Sequence, residues 1–288
     1  MHAYDAKTIL SSTNGMNLCR GCVHGCIYCD SRSRCYHIDH AFDDVAVKQN
    51  APALLEAALR KKRARGMIGT GSMSDPYMPL PEVLALTRHC GELIERYGFG
   101  LTVITKSSHV LRDLDLLCAI RDNARCVVQM TLTTLDASLC RILEPNVCDT
   151  HSRFQALCRL RDAGIPTVVW LTPTLPFLND SEENLRGLLR LCVEANVRGV
   201  LTFGMGVTLR DGNREYFYAQ LDEHFPGMKE RYIRSFGNAY ECPSPRAARL
   251  SRLLADTCAA HGILYRTDEV FAYLRAFGDP ADSKLTLF

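Results

Sequence analysis

From residue 51 to residue 205 the chain alternates short apolar runs with longer stretches whose apolar positions recur every three or four residues. "MIGTGSM", "GLTVITKS", "RCVVQMTLTT", "PTVVWLTP" and "GVLTFGM" read as buried strands, because short β-branched runs bounded by Gly, Pro or Ser suit a covered sheet. Between them lie helical patterns. "APALLEAALRKKRARG" is apolar at its start and cationic from Arg60 to Arg65, which suits the negative pole of a helix; nucleic-acid contact is the other use of such a run. Pro81 opens a helix carrying Val83, Leu86, Cys90, Leu93 and Tyr97 on one face. Val110 to Arg121, Ser152 to Ala163 (ended by Gly164) and Ser181 to Ala195 follow. Strand–helix alternation predicts a parallel sheet with right-handed crossovers, about five to six βα units. After Arg210 the rhythm changes. Two short helices are expected within "NREYFYAQLDEHFPGMKERYIRSFG" and a longer one from Pro245 to His261. The expected organisation is a core over 1–210, with its cysteine loop near the N-terminus, and an all-helical extension over 211–288 packed on it.

Composition narrows the classes. The 288 residues are 47% hydrophobic, enough for a sizeable core, and the net charge of +2 does not mark a nucleic-acid or membrane-surface binder. No run reaches the roughly 18 apolar residues of a membrane span, and "MHAYDAKTILSS" lacks the basic and apolar regions of a secretory signal. A cytoplasmic protein with no membrane association is therefore expected. Of the 14 cysteines, Cys118, Cys126, Cys140, Cys158, Cys192 and Cys258 sit singly in apolar stretches, where reduced cysteine acts as a small hydrophobe.

The loop "MNLCRGCVHGCIYCDSRSRCY" is different: Cys19, Cys22, Cys26, Cys29 and Cys35 crowd into it. Thiolates select zinc, Cu(I) or iron–sulfur clusters. Zinc ligands come as two pairs separated by a dozen or more residues. Thiols in one tight loop instead suit a compact [4Fe–4S] cluster. Spacing leaves three sets open: the triplet Cys22, Cys26 and Cys29 alone, the triplet with Cys19, or the triplet with Cys35. His24 supports the loop rather than ligating iron.

"CVHGCIYC" resembles the signature of the radical SAM superfamily, three cysteines spaced three then two apart with an aromatic residue before the last. "GSMSDPYMPLPE", "TVITKSSHVLRDLDLL", "LEPNVCDTHSRF", "TPTLPFLND" and "REYFYAQLDEHFPGMKERYIRSFGNAY" extend the resemblance to its spore photoproduct lyase-like branch, whose members are often labelled DNA repair photolyases. The resemblance implies a partial (β/α)6 TIM-like barrel. It implies a [4Fe–4S] cluster held by Cys22, Cys26 and Cys29, with one iron open for S-adenosylmethionine (SAM). Reductive cleavage of SAM then yields a 5′-deoxyadenosyl radical that abstracts hydrogen from a substrate, here unknown. A flavodoxin- or ferredoxin-type electron donor is implied as partner.

Reaction centres of such barrels lie at the C-terminal strand ends. Cofactor candidates there are Ser72, Ser74 and Asp75; Lys106 and Ser107; and Thr131 and Thr133, with Tyr28 near the adenine as the resemblance implies. Arg153 forks onto the cofactor carboxylate or pairs with Glu144 or Asp149 at the surface. Asn179 and Asp180 are expected to cap the following helix. Two positions depart from the lyase: Ser72 stands where it has a hydrogen-donating cysteine, and Asp30 where it has a tyrosine. Thymine-dimer reversal is therefore not expected. Tyr77 and Cys242 are the candidate substitutes. Two alternatives stay open. One is a nucleic-acid substrate on an Arg246, Arg249 and Arg252 face; the other is a non-enzymatic cluster- or zinc-holding protein with four thiolate ligands.

Overall fold

The computed structural model describes residues 1–278. The chain opens with β1 (His2–Tyr4), β2 (Gly15–Met16) and β3 (Cys19–Arg20), runs through the cysteine loop, and returns as β4 (Ala46–Lys48). There follow α1 (Ala51–Lys61), β5 (Met67–Thr70), α2 (Pro81–Arg96), β6 (Gly100–Thr105), α3 (Leu114–Asn123) and β7 (Cys126–Thr131). Next come α4 (Ala137–Leu143), α5 (Thr150–Asp162), β8 (Thr167–Trp170), α6 (Glu182–Glu194) and β9 (Gly199–Leu201). The remainder holds β10 (Gly206–Thr208), α7 (Asn213–His224), α8 (Met228–Phe236), β11 (Glu241–Pro243), α9 (Ala247–Ala260) and α10 (Thr267–Arg275).

Six strands form one sheet in the order β2-β5-β6-β7-β8-β9, every pair parallel. The five expected strands are all in it. The sixth, β2, escapes pattern reading because only Gly15 and Met16 pair, opposite Gly69 and Thr70. On one face Leu101, Val103, Val128, Met130, Val169 and Val200 pack against α2, α3, α5 and α6 through Val83, Leu117, Leu157 and Leu189. Full burial of such a side chain is worth about 1.5–3 kcal/mol. On the other face Met67, Val127, Val168 and Leu201 meet Val270 and Leu274 of α10. Alternation along each strand produces both faces. Cys126, Cys140, Cys192 and Cys258 are buried in the interior as free thiols, while Cys118 and Cys158 are half-buried.

Three expectations change. The extension is not all-helical: β11 pairs antiparallel with β10, a strand too short to carry a period. The stretch from Val110 starts as a 3-10 turn, Ser108–Asp113, before α3 begins at Leu114. The cap of α6 is Ser181, which accepts from the Asn184 amide. Asp180 instead accepts from Ser244 Oγ at 2.6 Å and pairs with Arg246 at 3.3 Å, joining the start of α6 to that of α9. Among the described residues no helix is long and apolar enough to cross a membrane.

Candidate cluster and cofactor site

The cysteine loop leaves β2 and lies over the C-terminal ends of β5 and β6, where three ties hold it. Ser74 Oγ donates to the Cys19 carbonyl at 3.1 Å. The Cys22 amide donates to Phe42 O at 2.9 Å. Asp75 takes the Thr105 hydroxyl at 2.7 Å and the Lys106 amide at 2.7 Å, while His24 Nδ1 lies 3.4 Å from its second oxygen. Burial holds the His24 pKa below its ordinary value, so the ring is neutral at pH 7 and serves as a support.

The segment Leu143–Asn146 clamps the same loop from the other side. Leu143 O accepts from the Ile27 amide at 3.0 Å, and Asn146 binds the carbonyls of His24 (3.1 Å) and Val23 (2.8 Å). Gly25 has φ +71°, and a Cβ there would lie 2.9 Å from Pro145, so glycine is required for the close approach.

Cys22 and Cys26 are buried and Cys29 is half-buried, and the three thiols are near enough to oppose one another's ionisation. Burial pushes Cys22 up to about 12 and Cys26 well above the ordinary thiol range. Buried thiols such as Cys22 and Cys26, which resist ionisation alone, are suited to a cationic metal group that binds the thiolate directly. Among the described residues no three Cys, His, Asp or Glu side chains converge on a point where a single ion would sit. Cys19, buried three residues earlier, shares the large core with Cys22 and is likewise pushed up to about 12 by burial, and Cys35 is exposed.

Beneath the loop lies a charged group built on Arg153, which the sequence sets on the cofactor carboxylate or in a surface ion pair. Glu144 and Arg153 are both fully buried and pair at 2.6 Å. Arg153 also donates to Thr131 O at 3.1 Å and Cys148 O at 2.9 Å. Glu144 accepts from the Tyr28 hydroxyl and stands 4.0 Å from Lys106 Nζ, which lies 5.7 Å over the Tyr28 ring. Burial opposes ionisation of Glu144, but Arg153, Lys106 and Tyr28 outweigh it and hold the carboxyl well below the carboxylate range. Arg153 is thus an internal support whose nitrogens are engaged by the protein, not a free fork for a ligand. The partner Glu144 was one of the two expected for it, but the pair is interior. A depressed carboxyl contributes stability above its unfolded pKa that is lost as pH falls through the folded one. The stability gap between wild type and Glu144→Gln, measured by urea unfolding, is therefore expected to be constant from pH 7 to 5 and to shrink below about pH 4.5.

The other expected residues divide. Tyr28, Lys106 and Thr131 gather around Glu144 and Arg153. Ser74 and Asp75 brace the loop. Ser107 caps the 3-10 turn by accepting from the His109 amide at 3.2 Å. Ser72 is exposed and donates to Asn17 Oδ1 at 3.4 Å. Thr133 borders a cavity of about 20 Å³ with Asn179, Leu188, Met205 and Leu250, its buried hydroxyl without a hydrogen-bond partner. Tyr77 is buried in the large core, whereas Cys242 is packed in one apolar cluster with Cys26, Tyr28, Leu143 and Tyr232. Asp30 is a strut: Tyr36 donates to it at 2.7 Å and Arg210 pairs with it at 3.3 Å, fastening the loop to the start of the extension. In the arginine face, Arg246 pairs with Asp180 and Arg249 with Glu182.

A parallel α/β sheet with a buried thiol loop braced across its C-terminal strand ends defines an α/β protein with its candidate site at the strand ends. Residues 16–192 match the model of the radical SAM superfamily, and the chain belongs to that superfamily. An uncharacterized protein of Mycobacterium tuberculosis, Rv2578c, is 31% identical over 219 residues, covering 74% of this chain and 64% of that protein. The match thus spans less than two thirds of the mycobacterial relative. An uncharacterized protein of Acidianus two-tailed virus, ORF301, is 26% identical over 77% of this chain and 76% of its own length. Among solved structures, a spore photoproduct lyase C140S mutant superposes with TM-score 0.66 at 14% identity, over 91% of this chain and 80% of that one. Streptococcus suis SuiB bound to the precursor peptide SuiA gives 0.54 at 13% identity, over 91% of this chain and 49% of that one. At such identities the likeness is one of fold.

Proposed function

We propose that this protein is a radical SAM enzyme that holds a [4Fe–4S] cluster through Cys22, Cys26 and Cys29. The observation that carries the reading is the set of three close thiols on a loop bolted to the C-terminal ends of β5 and β6. When bound, the cluster supplies one electron that cleaves SAM reductively to methionine and a 5′-deoxyadenosyl radical. The chain's own groups position and exclude. Buried Tyr28 presents a ring fixed by Glu144. Lys106, one-fifth exposed, offers an ammonium to the SAM carboxylate. Thr131 lies beside it at the end of β7, and Ser74 is proposed to act on the SAM amino group through the loop it braces. The lid of α7, α8 and the β10–β11 pair keeps water from the loop through Phe217, Leu221 and Tyr232. Cys242, in that same apolar cluster, is the proposed thiol hydrogen donor. The core is proposed to be a partial barrel over 1–210, with the remainder as its cover.

Fold does not fix substrate. One structural neighbour holds a dinucleoside spore photoproduct and another a peptide. Thymine-dimer reversal is not the reading favoured here, because Ser72 has no weak S–H bond and Asp30 is consumed as a strut. The pairing of Arg246 and Arg249 with carboxylates lowers the case for a nucleic-acid face there. The test is anaerobic reconstitution followed by EPR with and without SAM and assay of 5′-deoxyadenosine. A SAM-dependent change in the cluster signal and 5′-deoxyadenosine formation are expected. A signal indifferent to SAM, with no cleavage, sinks the reading. Incubation with spore-photoproduct DNA is expected to give no repair.

A further inference from the structure

On the sheet face away from the main helix layer, Val270 and Leu274 of α10 cover Met67, Val127, Val168 and Leu201. Alternation puts Gly69, Gln129 and Trp170 on that face too, each two residues further along its strand, and sets Ile104 beside them on β6. This second row is less covered. Gly69, Ile104 and Trp170 are half-buried, and Phe203, two residues past Leu201, is 58% exposed. Among the described residues it is the most exposed large hydrophobic side chain. It does not stand alone. Its ring lies 5.4 Å from that of Trp170 at 65°, and 6.2 Å from that of Phe271 on α10. The indole N–H of Trp170 donates to Gln129 Oε1 at 2.7 Å, and Gln129 Nε2 donates to the Thr102 hydroxyl at 2.8 Å. That chain crosses three strands and fixes the indole. Thr267 Oγ1 donates to Thr202 O at 3.3 Å, which ties the start of α10 beside Phe203. The rings form an apolar shelf held in place and left open on one side.

Its place and its polarity say what it would hold. Lys106 follows Ile104, and Thr131 follows Gln129, at the next position on the same face, about 7 Å nearer the cysteine loop. The shelf is thus continuous with the proposed cofactor groups and lies one step deeper, where a group must sit to meet a radical formed at the strand ends. None of Gly69, Ile104, Gln129, Trp170 and Phe203 is charged. Arg275 lies 5.5 Å over Phe271, one turn further along α10. Gln129 gives its oxygen to Trp170 and one N–H to Thr102, which leaves one N–H for a ligand. A nucleobase brings several polar atoms to its edge, each costly to bury unpaired, and a phosphate brings charge. A phenyl or phenol ring brings neither problem. Resting on the radical SAM reading, we propose that the Trp170–Phe203 shelf is the substrate subsite and receives the uncharged aromatic ring of an amino acid, free or within a peptide. The ring packs on Phe203 and against the edge of Trp170, and a phenol oxygen accepts the remaining Gln129 N–H.

Trp170 is the one tryptophan of the chain, so its fluorescence reports on the shelf. The test titrates the full chain, reconstituted with SAM and again without the cluster, exciting tryptophan selectively. The probes are N-acetyl-tyrosinamide, N-acetyl-phenylalaninamide, free tyrosine and thymidine. A saturable change with the aromatic amino-acid probes is expected in both forms. Phe203→Ala is expected to weaken it about tenfold, and Phe203→Leu less. The urea midpoint and the SAM-dependent EPR change should stay as in wild type, because the ring is exposed and outside the cofactor groups. Tighter binding of free tyrosine makes the source an amino acid; tighter binding of the blocked amides makes it a peptide. No saturable change overturns the proposal, and so does equal affinity in Phe203→Ala. Saturation by thymidine but not by the amino-acid probes overturns it in favour of a base. A change on adding SAM alone, lost in Phe203→Ala, overturns it by giving the rings to the cofactor's adenine. Failure of the wild type to cleave SAM with dithionite is a separate result: it removes the radical SAM reading and the substrate role, while ring binding is still read in the cluster-free chain.

Discussion

Alanine at Cys22, Cys26 or Cys29 is expected to abolish the cluster and all SAM cleavage, while Cys19→Ala retains both. The difference comes from position, not from residue type. Burial, with the neighbouring Cys29 charge, raises the cost of ionising Cys22 and Cys26, and a bound cationic cluster would relieve it. Loss of one leaves an iron without its thiolate, and the remaining buried thiols return to the protonated state. Cys19 is held by its backbone carbonyl, which accepts from Ser74 and is kept in an alanine variant. Its side chain, 2% exposed, is packed as a small hydrophobe, and truncation costs about 1 kcal/mol. Iron and sulfide per chain, with 5′-deoxyadenosine formed under dithionite, measure the contrast. Loss of the cluster in Cys19→Ala would restore the four-thiolate set and, with it, the closed structural or electron-transfer site.

The second large effect concerns the pair beneath the loop. Glu144→Ala leaves Arg153 charged and fully buried without its carboxylate, and breaking such a pair costs about 3–5 kcal/mol. That is a large fraction of the roughly 5–15 kcal/mol that holds a domain folded. Glu144→Leu/Arg153→Met removes both charges, and the apolar pair is expected to recover most of the stability. It does not recover the site. The Tyr28 hydroxyl loses its acceptor and Lys106 loses the carboxylate that draws its ammonium over the ring. Urea unfolding of the cluster-free protein reads the first effect. Titration of the SAM-dependent EPR change reads the second, and a weaker apparent affinity is expected in the double variant despite its stability. Equal SAM response in the double variant and wild type would reduce the pair to a structural tie.

Much of the core was legible along the chain. The strand at Met67 and the four expected after it are continuous apolar runs, and α2 is announced by Pro81 and a regular apolar face. Several elements were less visible for one reason: they are short. β2 is two residues, β11 is three, α4 is seven and α10 is nine, and none repeats a period often enough to stand out. Candidate site residues fared according to how local their roles are. The triplet declares itself by spacing within eight residues of sequence. Ser107 and Asp75 looked like ligand contacts because they end strands, and both are occupied with holding backbone there. Glu144 was legible only as a surface partner of Arg153, and nothing local in "LEPNVCD" marks it as interior.

By itself the sequence determined the crowding of cysteines in one loop and the strand–helix rhythm, because each depends on residues that are neighbours in the chain; the choice of the triplet and the departures at Ser72 and Asp30 came from the family resemblance. Only the tertiary structure decided which charges are interior. Tyr28 and Glu144 are 116 residues apart and Asp30 meets Arg210 from across the chain; their partners are chosen by which elements pack together. Burial then sets the strength of those contacts, since a carboxylate removed from water must find a cation or lose its charge.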